Sequence, residues 1–124
     1  MSAGDEGRRL AVIAARAADE KGATEIQVLD VGDIVGITGW FVLASAANPR
    51  QVRAVTDHVE ELVAARFETR PRAVEGGDER RWVLMDYGEV VVHVFHSEER
   101  EYYRLERLYT DAPRVEWEES SGNH

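Results

Sequence analysis

Cysteine is absent, which removes disulfide frameworks, thiolate metal sites and cysteine nucleophiles together. Cations are in deficit: 15 Lys and Arg face 24 Asp and Glu, a net charge of −9. Sequence-independent grip on nucleic acid needs a surplus of cations to displace phosphate counterions, so this balance argues against it, while leaving room for a local basic patch or a basic protein partner. No pattern for sequence-specific nucleic-acid binding is found either. No apolar run reaches membrane-spanning length, and the N-terminus lacks the basic-then-apolar pattern of a signal peptide. Asp5 and Glu6 speak against a transit peptide. The expectation is a cytoplasmic protein with no membrane partner.

What is present is an ordinary globular composition, 44% hydrophobic and 31% charged over 124 residues. That length holds one core, and folding hides roughly two-thirds of the unfolded surface without metal or disulfide staples. No internal repeat is visible. Residues 1–7 and 116–124 read as flexible ends, the second acidic, around a single domain over 8–115.

Leu10, Ile13, Ala14 and Ala17 fall at helical spacing in an Ala-rich stretch, predicting a helix from about Arg8 to Lys21, stopped by Gly22. Ile26, Val28, Leu29 and Val31 predict a first strand, and Gly32, Gly36 and Gly39 the turns after it. Trp40–Ala44 is continuously apolar, as in a strand covered on both faces. Asn48-Pro49 is a helix-start signal. Val52, Val55, Val59, Leu62 and Val63 then form a stripe of 3.6 period, predicting a second helix from Pro49 to about Phe67.

Glu75–Asp78 reads as a polar loop. Trp82–Met85 and Val90–Phe95 read as a hairpin around Asp86-Tyr87-Gly88-Glu89, with Gly88 supplying the positive φ such turns favour. Ser97-Glu98-Glu99 opens a third helix with a hydroxyl cap and carboxylates at the positive end. Tyr102, Leu105 and Leu108 would share its inner side, and Asp111-Ala112-Pro113 would close it. The predicted order is α-β-β-α-β-β-α, an α/β (α+β) fold in which a mixed sheet is flanked by helices. Such folds host many functions.

The tests for catalytic and metal chemistry are largely negative. His93 and His96 are three apart on a strand, where such positions face opposite ways, so a shared metal is disfavoured. Ser45, Asp57 and His58 lack the glycine-flanked elbow that exposes a serine nucleophile. The glycines at 32, 36 and 39 form no phosphate-binding loop. Nucleotidyl transfer needs clustered carboxylates around divalent cations. Asp30 and Asp33 flank the first strand's exit and Asp86 stands alone on the hairpin. A divergent nucleotidyltransferase using these three with Mg²⁺ is the competing enzymatic reading. Large amphipathic residues are instead concentrated in the second half: Trp82, Tyr87, Phe95, Tyr102, Tyr103 and Tyr109. Aromatics dominate interface hot spots because they bury much area at small entropic cost. A Tyr at a hairpin tip, such as Tyr87, is expected to meet solvent or a partner.

The run from Trp82 to Phe95, with Glu75-Gly76 before it and Arg100–Leu108 and Asp111-Ala112-Pro113 after it, resembles the ribosomal silencing factor (Iojap-like) family. The first half is similar through Asp30-Val31, Thr38, Phe41–Ser45 and Arg50-Gln51-Val52. The chain departs from the family pattern at Gly39, where an acidic residue is usual, at Ala46 in place of Gly, and at Tyr109 in place of Trp. The resemblance implies a reduced nucleotidyltransferase-like fold without catalysis or cofactor. It implies a homodimer that docks on ribosomal protein L-fourteen of the large ribosomal subunit, blocks joining of the small subunit and represses translation when nutrients are short. It places Trp82, Asp86, Tyr87, His93 and Phe95 in the partner-binding patch. Trp82 and Tyr87 would be apolar anchors and Asp86 an acceptor for a basic partner residue. His93 and Phe95, two apart, would share one strand face with Val91.

Overall fold

A computed structural model describes residues 3–118. Helix α1 spans Ala3–Glu20, β1 Thr24–Asp30, α2 Gly32–Val35, β2 Trp40–Ala46 and α3 Pro49–Phe67. Strands β3 (Ala73–Glu75), β4 (Trp82–Asp86) and β5 (Val90–His96) follow, then α4 (Ser97–Tyr103) and a 3₁₀ turn, Leu105–Tyr109. The five strands lie in the order β1-β2-β5-β4-β3. Only β2 and β5 run parallel; the other pairs are antiparallel.

The α3 helix has the predicted bounds. The Asn48 side chain accepts the Gln51 N–H at 2.8 Å, Pro49 occupies the first turn, and Val52, Val55, Val59 and Val63 are buried. Pairing of α1 and α3 over one sheet face buries the alanines of α1 against Val42, Val90, Val92 and Val94. Strand β2 is buried throughout beyond Trp40, as its unbroken apolar run requires. The hairpin turns at Gly88, φ +88°, and Tyr87 N–H donates to Val90 O at 2.8 Å.

Four features differ from the sequence expectation. First, α1 begins at Ala3, ahead of Arg8, because its first turns pack on the sheet: Gly7 is buried and a Cβ there would fall 2.6 Å from the Trp40 ring. Second, the Gly32–Gly36 stretch forms the one-turn helix α2, closed by Gly36 N–H on Gly32 O at 3.1 Å. Third, the wholly exposed β3 adds an edge strand before the polar loop. Its loop must turn at Gly76, φ +81°, where a Cβ would fall 2.1 Å from the Trp82 carbonyl oxygen. Fourth, the single third helix is broken: Arg104 adopts φ +44°, ending α4 and starting the 3₁₀ turn.

The C-terminal stretch also packs. Asp30 N–H donates to Pro113 O, and Val115 N–H to Val28 O, so residues 113–115 cover the outer edge of β1. Trp117 lies against the α1 side of the core and its carbonyl accepts from Arg16 Nε at 2.8 Å. The remainder of the expected acidic tail, 119–124, lies outside the described residues.

Candidate functional site

Strand alternation sorts the sheet's side chains onto two unlike faces. Val90, Val92 and Val94 turn to α1 and α3. Val91, His93 and Phe95 turn the other way with Phe41, Leu43 and Leu29, where a second, smaller cluster is closed by Val35, Leu105, Tyr109 and Ala112. That cover stops short. Between α2 and the β4–β5 hairpin lies a half-open concavity of about 430 Å³. Val35, Phe41, Leu84, Val91 and His93 supply its apolar lining, with Arg72 and Asp86 also on its wall.

Trp82 and His93 are joined: Trp82 Nε1–H donates to His93 Nδ1 at 3.1 Å. With Nδ1 accepting, the neutral imidazole carries its proton on Nε2, and that buried N–H has no partner in the protein. Burial, aided by the nearby Arg100 guanidinium, holds the His93 pKa down at about 4. Asp86 closes its own turn, Oδ1 accepting from Gly88 N–H at 2.7 Å, and lines the concavity with His93.

Three of the predicted patch residues are not on the surface: His93, bonded to Trp82, is only 5% exposed, and Tyr87 and Phe95 are buried as well. Tyr87 lies in the α1/α3 core, only 9% exposed. Alternation explains this: Asp86 faces the concavity, so its neighbour faces the opposite side. Burial, with the Glu60 carboxylate, pushes the Tyr87 phenol above its ordinary pKa. Phe95 shares the His93 face as expected but is wholly buried, sandwiched between the Trp82 ring at 4.8 Å and the Arg100 guanidinium at 5.7 Å. Trp82, Asp86 and His93 therefore meet on one face, Phe95 supports them from beneath, and Tyr87 belongs to the other core.

The predicted patch leaves out the aromatic neighbours that complete this face, although Tyr102, Tyr103 and Tyr109 belong to the aromatic concentration of the second half. Tyr102 packs edge-on to Tyr103 at 4.9 Å, and Tyr103 lies 5.0 Å from Trp82. Trp82 continues to His93 at 6.1 Å, His93 to Phe41 at 4.9 Å, and Phe41 to Tyr109 at 5.2 Å. Tyr102 and Leu108, expected on the inner side of a helix, are instead 80% and 72% exposed: within α4 the buried face is that of Arg100, about 200° around the helix from Tyr102, and the break at Arg104 changes the phase for Leu108. Ile37, beside the concavity, is 87% exposed. A signal was available: adjacent residues on a helix point about 100° apart, so Tyr102 and Tyr103 cannot both face a core.

The three carboxylates of the enzymatic alternative do not converge. Asp30 lies on β1 opposite Trp40, on the α1/α3 side, where its Oδ1 accepts from Gly32 N–H at 3.3 Å. Asp86 lies on β4, on the other face, three strands away, or about 14 Å at the usual spacing. Asp33 sits in α2. Among the described residues, no group of three or more His, Asp or Glu side chains could hold a metal ion.

Residues 5–124 match the family model described as "Ribosomal silencing factor during starvation". The chain is 43% identical to the ribosomal silencing factor of Bacillus subtilis, over 82% of this chain and 85% of that one. It is 40% identical to the ribosomal silencing factor of Halalkalibacterium halodurans, over 90% and 94%. A crystal structure of a Chromobacterium violaceum protein superposes with a TM-score of 0.78 at 27% identity, covering 82% of this chain and 84% of that one. A mixed sheet flanked by helices, with an aromatic face left partly open, thus comes with a match along nearly the whole chain: it belongs to the ribosomal silencing factor family.

Proposed function

We propose that this protein binds the large ribosomal subunit and, by occupying its joining surface, keeps the small subunit away and lowers translation when nutrients are short. The observation that carries the reading is the open aromatic face, Trp82–Tyr103–Tyr102 beside the concavity, in a chain of this family. The partner is ribosomal protein L-fourteen, with Trp82 as the central anchor and Asp86 accepting hydrogen bonds from a basic partner residue. His93 fixes the Trp82 ring and Phe95 supports it; Tyr87 holds the hairpin to the opposite core. Tyr102, Tyr103 and Ile37 extend the contact. The protein acts by occupancy, as a cytoplasmic homodimer without cofactor. Its net charge of −9 favours a basic protein surface and disfavours approaching ribosomal RNA.

The test is co-sedimentation with purified large subunits, paired with a subunit-joining assay. The intact protein is expected to pellet with large subunits and to suppress joining. Trp82→Ala is expected to cost on the order of 2 kcal/mol in binding, measured on protein shown to be folded. Subunits that pair equally well with saturating protein present would sink the proposal.

A further inference from the structure

Arg100 is fully buried beneath α4. Its Nε donates to Glu106 Oε1 at 3.1 Å and its Nη1 to Ser45 Oγ at 3.0 Å. Its Nη2 is buried without a partner. Burying a guanidinium on one carboxylate and one hydroxyl, with a donor left over, is a poor way to gain stability; well-packed apolar side chains of similar volume often do as well or better. The position of the cluster shows what the charges are suited to. Arg100 and Glu106 straddle the backbone break at Arg104, whose N–H returns to Arg100 O at 2.9 Å. Arg104 itself pairs with Glu25, Glu101 and Glu106. Burial opposes ionisation of Glu106, but its hydrogen bonds and the Arg100 charge outweigh that and hold the carboxyl below its ordinary pKa.

An uninterrupted helix over 97–109 would move Glu106 away from Arg100 and leave a buried charge unpaired, a state the protein interior penalises heavily. Beyond the break Leu108 projects outward while Leu105 and Tyr109 pack inward; before it, Arg100 is the buried residue of α4, which leaves Tyr102 on the outer side of that helix. We infer that the buried Ser45–Arg100–Glu106 cluster is a positioning device: Arg100 pins α4 to β2 through Ser45 and, with Glu106, selects the kink that follows, and by fixing the rotation of α4 it sets the aromatic ledge, Tyr102, Tyr103 and Trp82, in binding register. Arg100 acts on Trp82 also through Phe95, which lies between the two. This rests on the large-subunit docking proposed above.

The test replaces the cluster with apolar residues, Ser45→Ala, Arg100→Met and Glu106→Leu together, and measures stability by denaturant titration alongside large-subunit affinity. The expected result is stability at or above that of the parent with affinity reduced at least tenfold, a split that a merely structural cluster would not produce. Parent-like affinity, within twofold, overturns the inference. If the triple variant fails to fold, Arg100→Lys, which keeps the charge but loses the fork that spans Glu106 and Ser45, is held to a fivefold loss by the same assay, and parent-like affinity again overturns it. A parent protein that does not bind large subunits at all refutes the docking proposal instead. In that case the kink is read directly, from amide exchange over 97–109, expected to rise in the variant; unchanged protection overturns the positioning role.

Discussion

The two faces of the sheet are built from different materials. The α1/α3 side is closed and mostly aliphatic: small Val and Ala side chains with Leu10 and Met85 make up nearly all of its buried core, and Tyr87 is the one aromatic among its buried residues, with Trp40, Phe67 and Trp117 at its margin. The opposite side is aromatic and half open, with Phe41, Trp82, His93, Phe95 and Tyr109 carrying the packing. Aliphatic side chains stabilise by excluding water, and each void is felt. Aromatic rings can bury one edge in protein and keep another for a partner. The difference teaches a division of labour: one face stabilises the fold, and the other spends part of its apolar surface on recognition.

The comparison breaks hardest on the closed side. Met85→Ala, at a fully buried position, should cost about 2–5 kcal/mol of stability, read as a lower denaturant midpoint. The folded fraction should keep its large-subunit affinity. A binding defect in that fraction would erase the distinction between faces.

Acid should act on the open side. His93 titrates at about 4 in the fold against 6.5 for the unperturbed side chain, with burial the main cause. Between those values the unfolded chain binds the extra proton. The contribution is therefore fully present above about pH 6.5 and is lost as pH falls toward 4, on the order of 3 kcal/mol. Denaturant titrations across pH 4–7 on the protein and on His93→Gln should show the variant's slope reduced in that window. Identical slopes would mean that His93 is not held neutral by its surroundings.

The smallest stability effect, and the sharpest test of the division, is at Tyr102. It is 80% exposed, so Tyr102→Ala should move stability by no more than about 0.5 kcal/mol. Affinity should fall by about 1 kcal/mol or more if the ledge is used. Titration of labelled protein against large subunits distinguishes the two outcomes.

Local signals identified much of this arrangement. Asn48-Pro49 and the valine stripe delimit α3; the continuous run 40–44 marks a strand buried on both sides; Gly88 marks the hairpin. Each rests on residues within a few positions of one another. Reading the site was less complete. Alternation puts His93 on one face with Phe95 and Val91, while Trp82 and Asp86 are grouped with them by the family resemblance; Tyr87 is assigned by its position at a turn, and alternation from Asp86 sends it to the other core. Phe95 lay on the expected face, yet nothing local says that Arg100 and Trp82 cover it. The short β3 was not legible because its residues are all exposed and its partner, β4, follows a loop.

What the sequence by itself determined is the set of elements with strong local periodicity or caps, the family, and the segment carrying the aromatic residues. Their rise, period and turn chemistry are encoded within single segments. The tertiary structure decided which face each aromatic serves, where the third helix breaks, and which apolar surface is left open. Those outcomes depend on contacts between residues far apart in the chain, Ser45 with Arg100 and Phe41 with Tyr109 among them, and no short-range pattern encodes the register in which distant segments meet.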